Sequence, residues 1–212
     1  MIQPDLQAYV EAEILPRYDS FDKAHQRPHV ERVIRDALTL AEYYPVDREM
    51  IYAAAAFHDT GLCEDRATHH LVSGRIIRTD PALPHWFSPE QIETVAQAAE
   101  DHRASLDHEP RSIYGRIIAE ADRQIEPETI IRRTVQFGFA HYPELAREEH
   151  WQRTLDHLHE KYAEGGYIKL WMDDSPNAAP LADLRALIRD EARLRPLFDT
   201  LFDTLCNNNR PQ

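Results

Sequence analysis

Apolar residues recur along this chain at the three-and-four spacing of helices, and no segment sustains the alternation of a strand. The clearest stripe follows Pro28, a favoured first-turn residue. There Val30, Val33, Ile34, Ala37, Leu38 and Ala41 share one face. An earlier helix is predicted over residues 5–17, stopped near Pro16. A third starts at Asp47 as N-cap, runs through MIYAAAAFHD and ends at Gly61. Residues 67–78 predict a fourth, closed off by Pro81 and Pro84. Ser88-Pro89-Glu90-Gln91 reads as a capping box opening a fifth. A sixth covers 112–125 and a seventh follows Pro127. Residues 143–164 and 181–205 predict two more, on either side of a Gly-Gly turn and the loop DDSPNAAP. The tail, 207–212, is expected to fray. The fold class expected is all-α: a helical bundle over residues 1–165, with a C-terminal helical extension over 166–212 packed on it.

Composition narrows the function. The formal net charge of −13 disfavours general nucleic-acid binding, since an acidic surface repels a phosphate backbone. A small phosphorylated substrate remains compatible with it, because cations bound in a cleft reverse the local field. No stretch approaches the roughly 20 apolar residues of a membrane span. The N-terminus lacks a basic start, and the two cysteines, Cys63 and Cys206, lie far apart. A cytoplasmic location is the expectation, with a homodimer left open.

The informative positions are ionisable groups that interrupt apolar faces. His102 continues the stripe Ile92, Val95, Ala96, Ala99, and Asp122 lies four residues after Ile118. His70 shares a face with Ala67, Leu71 and Gly74. The run MIYAAAAF ends abruptly in His58-Asp59, and His29 sits one turn before Val33. Each has a bland reading. A lone histidine on an apolar face is usually a hydrogen-bonded core residue, Asp122 has Arg116 and Arg123 nearby, and His58 complements a helix C-terminus. Together they weigh differently. Inward carboxylates are unfavourable by several kcal/mol unless paired or bound to a cation, and lysines are few. Imidazole with carboxylate is a donor set for Zn, Fe, Mn or Ni rather than Ca.

With those residues in place the chain resembles HD-domain metal-dependent phosphohydrolases, closest to uncharacterised bacterial HD hydrolases. The match is carried by His29 in RPHVERV, His58-Asp59 in AAAAFHDTG and Asp122 in IIAEADR. THHLVSG resembles the family segment in which a histidine precedes a small residue by three positions, which selects His70, before Ser73, over His69. AEDHRAS supplies His102. The resemblance covers about residues 22–133, and LHEKYAEGGYIKLW is loosely similar to the C-terminal part of one bacterial subgroup.

The resemblance implies one divalent ion held by His29, His58, Asp59 and Asp122. It implies a second bridged by Asp59 and completed by His70 and His102, the ions being Fe, Mn, Zn, Ni or Mg. The implied reaction is hydrolysis of a phosphomonoester or phosphodiester, nucleotides among the candidates, by a metal-activated water. Asp59 is then catalytic, with Arg32 and Arg103 as candidate phosphate contacts and Glu120 and Arg123 as candidate supports of Asp122. Two other classes stay open: a di-iron HD-type oxygenase, and a non-catalytic nucleotide-binding HD module. Leu62 stands where several HD phosphodiesterases carry lysine, and no Gly-Tyr-Pro motif follows, so a cyclic-dinucleotide phosphodiesterase is not expected. His159-Glu160 begins a zincin-like pattern that Ala163 leaves incomplete.

Overall fold

The computed structural model describes residues 2–22 and 24–208, and its regular elements are helical throughout, with no strand among the described residues. The chain divides into two compact units, Met1–Arg123 with Trp171–Asp173, and Gln124–Leu170 with Asp174–Gln212.

In the first unit, α1 (Pro4–Tyr9) passes into a π-type turn at Val10–Ile14 and a 3-10 turn at Leu15–Ser20. Pro16 explains the change of hand-hold: it has no N–H to donate, and its ring crowds the carbonyl one turn back. The apolar stripe survives the irregularity, with Leu6, Val10, Ile14 and Tyr18 all fully buried. Helix α2 (Arg27–Leu40) buries Val30, Val33, Ala37 and Leu40. Helix α3 (Arg48–Phe57) is capped by Asp47, whose Oδ1 accepts Glu49 N–H at 2.9 Å. It is buried on every side from Met50 to Phe57. Its four alanines let α2, α5 (Pro89–Glu100) and α6 (Ile113–Asp122) approach closely. Helix α4 (His69–Thr79) lies against α5. The capping box at α5 forms as expected: Ser88 Oγ accepts Gln91 N–H at 3.3 Å, and Gln91 Oε1 accepts Ser88 N–H at 2.9 Å.

The second unit holds α7 (Pro127–His141), α8 (Arg147–Tyr162), α9 (Ala178–Arg189) and α10 (Glu191–Asn208). The single helix predicted over 181–205 is two helices. Asp190 breaks the run at φ −117°, ψ 77°, and its carbonyl and Oδ1 accept the N–H groups that start α10. Aspartate competes in this way with a continuing helix. Residues 124–165 group with the C-terminal helices rather than with residues 1–123, because α7 packs on α8 and α10. The tail expected to fray is helical to Asn208, and 209–212 lie outside the described residues. Among the described residues no helix is long and apolar enough to cross a membrane.

Candidate metal centre

Five helix ends in the first unit bring the chemistry together. His29 stands in the first turn of α2, His58-Asp59 just beyond α3, His69 at the start of α4, His102 just beyond α5, and Asp122 at the end of α6. Asp59 is the hinge of the arrangement and is only 2% exposed. Its Oδ2 lies 3.2 Å from His58 Nε2 and 3.4 Å from His29 Nε2. Its Oδ1 lies 3.3 Å from His69 Nε2 and 3.4 Å from His102 Nε2. Asp122 Oδ1 closes the first group at 3.3 Å from His29 Nε2 and 3.8 Å from His58 Nε2. Within each group the paired imidazole nitrogens face each other at 3.2 Å.

These donors fit divalent cations. Donors about 2.1 Å from a common ion stand about 3.0–3.4 Å apart in octahedral or tetrahedral geometry, which is the spacing of each pair named above except Asp122 Oδ1 and His58 Nε2, at 3.8 Å. The tautomers agree. Nδ1 of His58, His69 and His102 donates to the backbone carbonyls of Ala55 (2.7 Å), Arg66 (2.7 Å) and Ala99 (2.5 Å). A carbonyl only accepts, so Nδ1 carries the proton and the neutral ring leaves Nε2 as a bare lone pair. Two such lone pairs 3.2 Å apart, on His69 and His102, repel unless a cation or a shared proton lies between them. His29 differs, because its Nδ1 faces the Arg32 guanidinium at 3.4 Å.

The electrostatics follow from burial and proximity. Burial opposes the charged form of His29, but Asp122 and Asp59 outweigh it and pull the ring up to about 9. Burial resists ionisation of Asp59 as well, yet His58, His102 and His29 hold its carboxyl well below the usual range. Asp122 is depressed in the same way, by His29 first and then His58 and His102. Burial lifts the Tyr18 phenol well above 10, helped by the Asp59 charge, so it stays protonated beside the centre.

The expectation at His70 is corrected: the histidine of α4 that reaches the cluster is His69. His70 is 7% exposed, its ring lies 5.6 Å from that of His69, and its Nδ1 meets no hydrogen-bond partner among the described residues. Burial, with the charges of His102, His69 and Arg103, pushes it down to about 4. The register is set by Gly61. A Cβ there would overlap the His69 carbonyl and the Ser73 amide, so the turn after the doublet lies flush on the first turn of α4. Gly61 N–H also donates to Ser73 Oγ at 2.9 Å. That contact places His69, four residues before Ser73, towards Asp59.

The two arginines part company. Arg32 spends its guanidinium on the carbonyls of Ala121 (3.0 Å) and Asp122 (3.1 Å) and on Asp36 (3.2 Å), so it clamps the end of α6 to α2 rather than standing free as a phosphate fork. Arg103 donates through Nη1 to the Ala67 carbonyl and is half-exposed. Glu120 and Arg123 are both buried; burial lowers the Arg123 guanidinium, and the carboxylates of Glu120 and Asp122 oppose that shift. Two neighbours went unnoticed in the sequence. His25 sits edge-on to His29, with centroids 5.6 Å apart, and pairs with Asp22 at 2.8 Å. Tyr18 contacts the doublet itself, and its signal was its place on the Leu6, Val10, Ile14 stripe.

Comparison with known proteins bears on the same segment. The HD domain matches residues 28–124. A crystal structure of a predicted HD superfamily hydrolase from an uncultured Thermotogales bacterium is 23% identical, with a TM-score of 0.48 over 72% of this chain and 82% of that one. No curated protein matches the chain. The matched segment contains His29, the doublet, His69, His102 and Asp122, and residues 28–124 of this chain are an HD domain.

Proposed function

We propose that this protein is a metal-dependent phosphohydrolase whose centre holds two divalent cations. One lies among His29, His58, Asp59 and Asp122, the other among Asp59, His69 and His102. The observation that carries the reading is the division of one buried carboxylate, with Oδ2 of Asp59 given to the first group and Oδ1 to the second. Cations held there supply Lewis acidity to a phosphoryl oxygen and acidify an attacking water. The chain's own residues do the rest. Nδ1–H bonds to three carbonyls fix the imidazoles, Arg32 holds Asp122 through the backbone, and Asp59 keeps both groups in register. Arg103, beside His102, is the candidate contact for the substrate phosphate. The substrate class is a small phosphomonoester or phosphodiester, nucleotides included.

The test is phosphate release from a panel of nucleotides and sugar phosphates, with protein stripped of metal and reloaded with Mn, Fe, Zn, Ni or Mg. Activity is expected in at least one metal form, and Asp59→Asn should lower it by about 10³-fold or more, the scale of losing a principal electrostatic group. No metal-dependent turnover across the panel defeats the proposal. Oxygen uptake by the iron form in its place identifies an oxygenase.

A further inference from the structure

Tyr18 lies outside the matched HD segment, in the 3-10 turn Leu15–Ser20, yet it grips the doublet directly. Its hydroxyl donates to the Ala56 carbonyl at 2.9 Å and accepts the Asp59 N–H at 3.3 Å. In a helix continuing past Phe57, the Asp59 N–H would bond to the Ala55 carbonyl. Here Ala55 O takes Nδ1–H of His58 at 2.7 Å, and Phe57 O takes the Thr60 hydroxyl at 2.8 Å. The last carbonyls of α3 are thus satisfied by a ring, a phenol and a hydroxyl rather than by another turn of helix. Tyr18 supplies the piece that ends the helix at the metal centre: it takes the Asp59 amide and leaves Ala55 O to orient His58. The phenol is fully buried, and its ring is fixed edge-on to Phe21 with centroids 5.3 Å apart.

We propose that Tyr18 is a positioning residue of the metal centre, acting through the backbone of Asp59 and through the Ala55 carbonyl that sets the tautomer of His58. The inference rests on the two-cation reading for its metal readout and stands on hydrogen-bond geometry for its second.

Tyr18→Phe keeps the ring and removes the hydroxyl. Tyr9→Phe is the matched control, because Tyr9 also donates a hydroxyl hydrogen bond from the N-terminal segment, to Asp80 at 2.7 Å, away from the centre. Each variant and the wild type are titrated with Mn²⁺ alone, and metal-free melting is recorded. Both variants should melt lower. Mn²⁺ affinity should fall about 10- to 100-fold in Tyr18→Phe, the usual effect of removing a partner that orients a ligand, and stay at the wild-type value in Tyr9→Phe. Wild-type affinity in Tyr18→Phe, or an equal loss in Tyr9→Phe, overturns the assignment. ¹⁵N spectra of metal-free protein separate this from failure of the two-cation reading. The His58 ring should show a fixed Nδ1–H tautomer in the wild type that is lost in Tyr18→Phe, and an unchanged ring overturns the assignment even if the wild type takes up no Mn²⁺. Should Tyr18→Phe not fold, amide exchange in the wild type decides: the Asp59 N–H should exchange as slowly as the core amides of α3, and rapid exchange overturns the assignment.

Discussion

At the scale of single residues, the choice between His69 and His70 has the sharpest consequence. Both lie in the first turn of α4, about 100° apart around the axis, and both are turned away from solvent. His69 has its Nδ1 on the Arg66 carbonyl and its Nε2 on Asp59, so His69→Ala should leave a protein that retains one equivalent of metal after dialysis in place of two. His70→Asn should retain both. Elemental analysis of the two variants reads this directly, and the opposite pattern would restore His70. The sequence made His29, the doublet, His102 and Asp122 legible because each interrupts a long apolar stripe. It could not separate 69 from 70, because what separates them is a backbone contact from Gly61, made across the turn and encoded by the absence of a side chain. Arg32 misled for a related reason. A charged residue one turn from a ligand reads as open to substrate, whereas its guanidinium is spent on carbonyls of another helix.

At the scale of elements, the centre depends on how helices stop. Helices α3, α5 and α6 end at it, and α2 and α4 begin at it, so each ligand sits where the backbone ladder gives out, and at the ends of α3 and α5 the carbonyls left free orient the rings of His58 and His102. Gly61 is the most exposed to change of these junctions. Gly61→Ala puts a methyl group against backbone atoms of His69 and Ser73, which have no flexible end to yield. The first turn of α4 must move, and the overpacking should destabilise the fold by about 1–3 kcal/mol. Because His69 moves with that turn while His29, His58 and Asp122 do not lie on α4, the group containing His69 should lose its metal before the other does. Urea denaturation and metal content, followed on the same preparation, check both halves of this expectation. Helix boundaries were legible where caps were local, as at Ser88 and Asp47. They were not legible at Asp190, where a helix former's stripe continues through a residue that starts a new helix with its own carbonyl and carboxylate.

At the scale of the whole molecule, acidity and the centre act together on stability. The chain carries 37 acidic against 24 basic residues, so the metal-free centre relies on its own histidines to balance two carboxylates, that of Asp59 buried and that of Asp122 half-buried. The ring of His29, raised from 6.5 to about 9, contributes stability that is fully present below pH 6.5 and is lost as pH rises through about 9. Asp59 and Asp122 are depressed, so their contribution is present above the ordinary carboxylate pKa and is lost in acid. Metal-free protein should therefore be most stable between about pH 4 and 6.5 and lose up to about 3 kcal/mol from the His29 contribution by pH 9. A bound cation reverses the alkaline half. It requires neutral imidazole and takes the place of the proton, so metal affinity should climb with pH up to about 9, and the gain in melting temperature on adding saturating Mn²⁺ should be larger at pH 8.5 than at pH 6. Net negative charge also grows with pH, and cations screening it over the surface would produce a similar trend. Sodium chloride at matched ionic strength separates the two causes, since sodium screens surface charge but does not bind imidazole. If it reproduces the difference between pH 6 and pH 8.5, the effect belongs to the surface; if only Mn²⁺ does, protons on the centre's histidines are what the metal displaces.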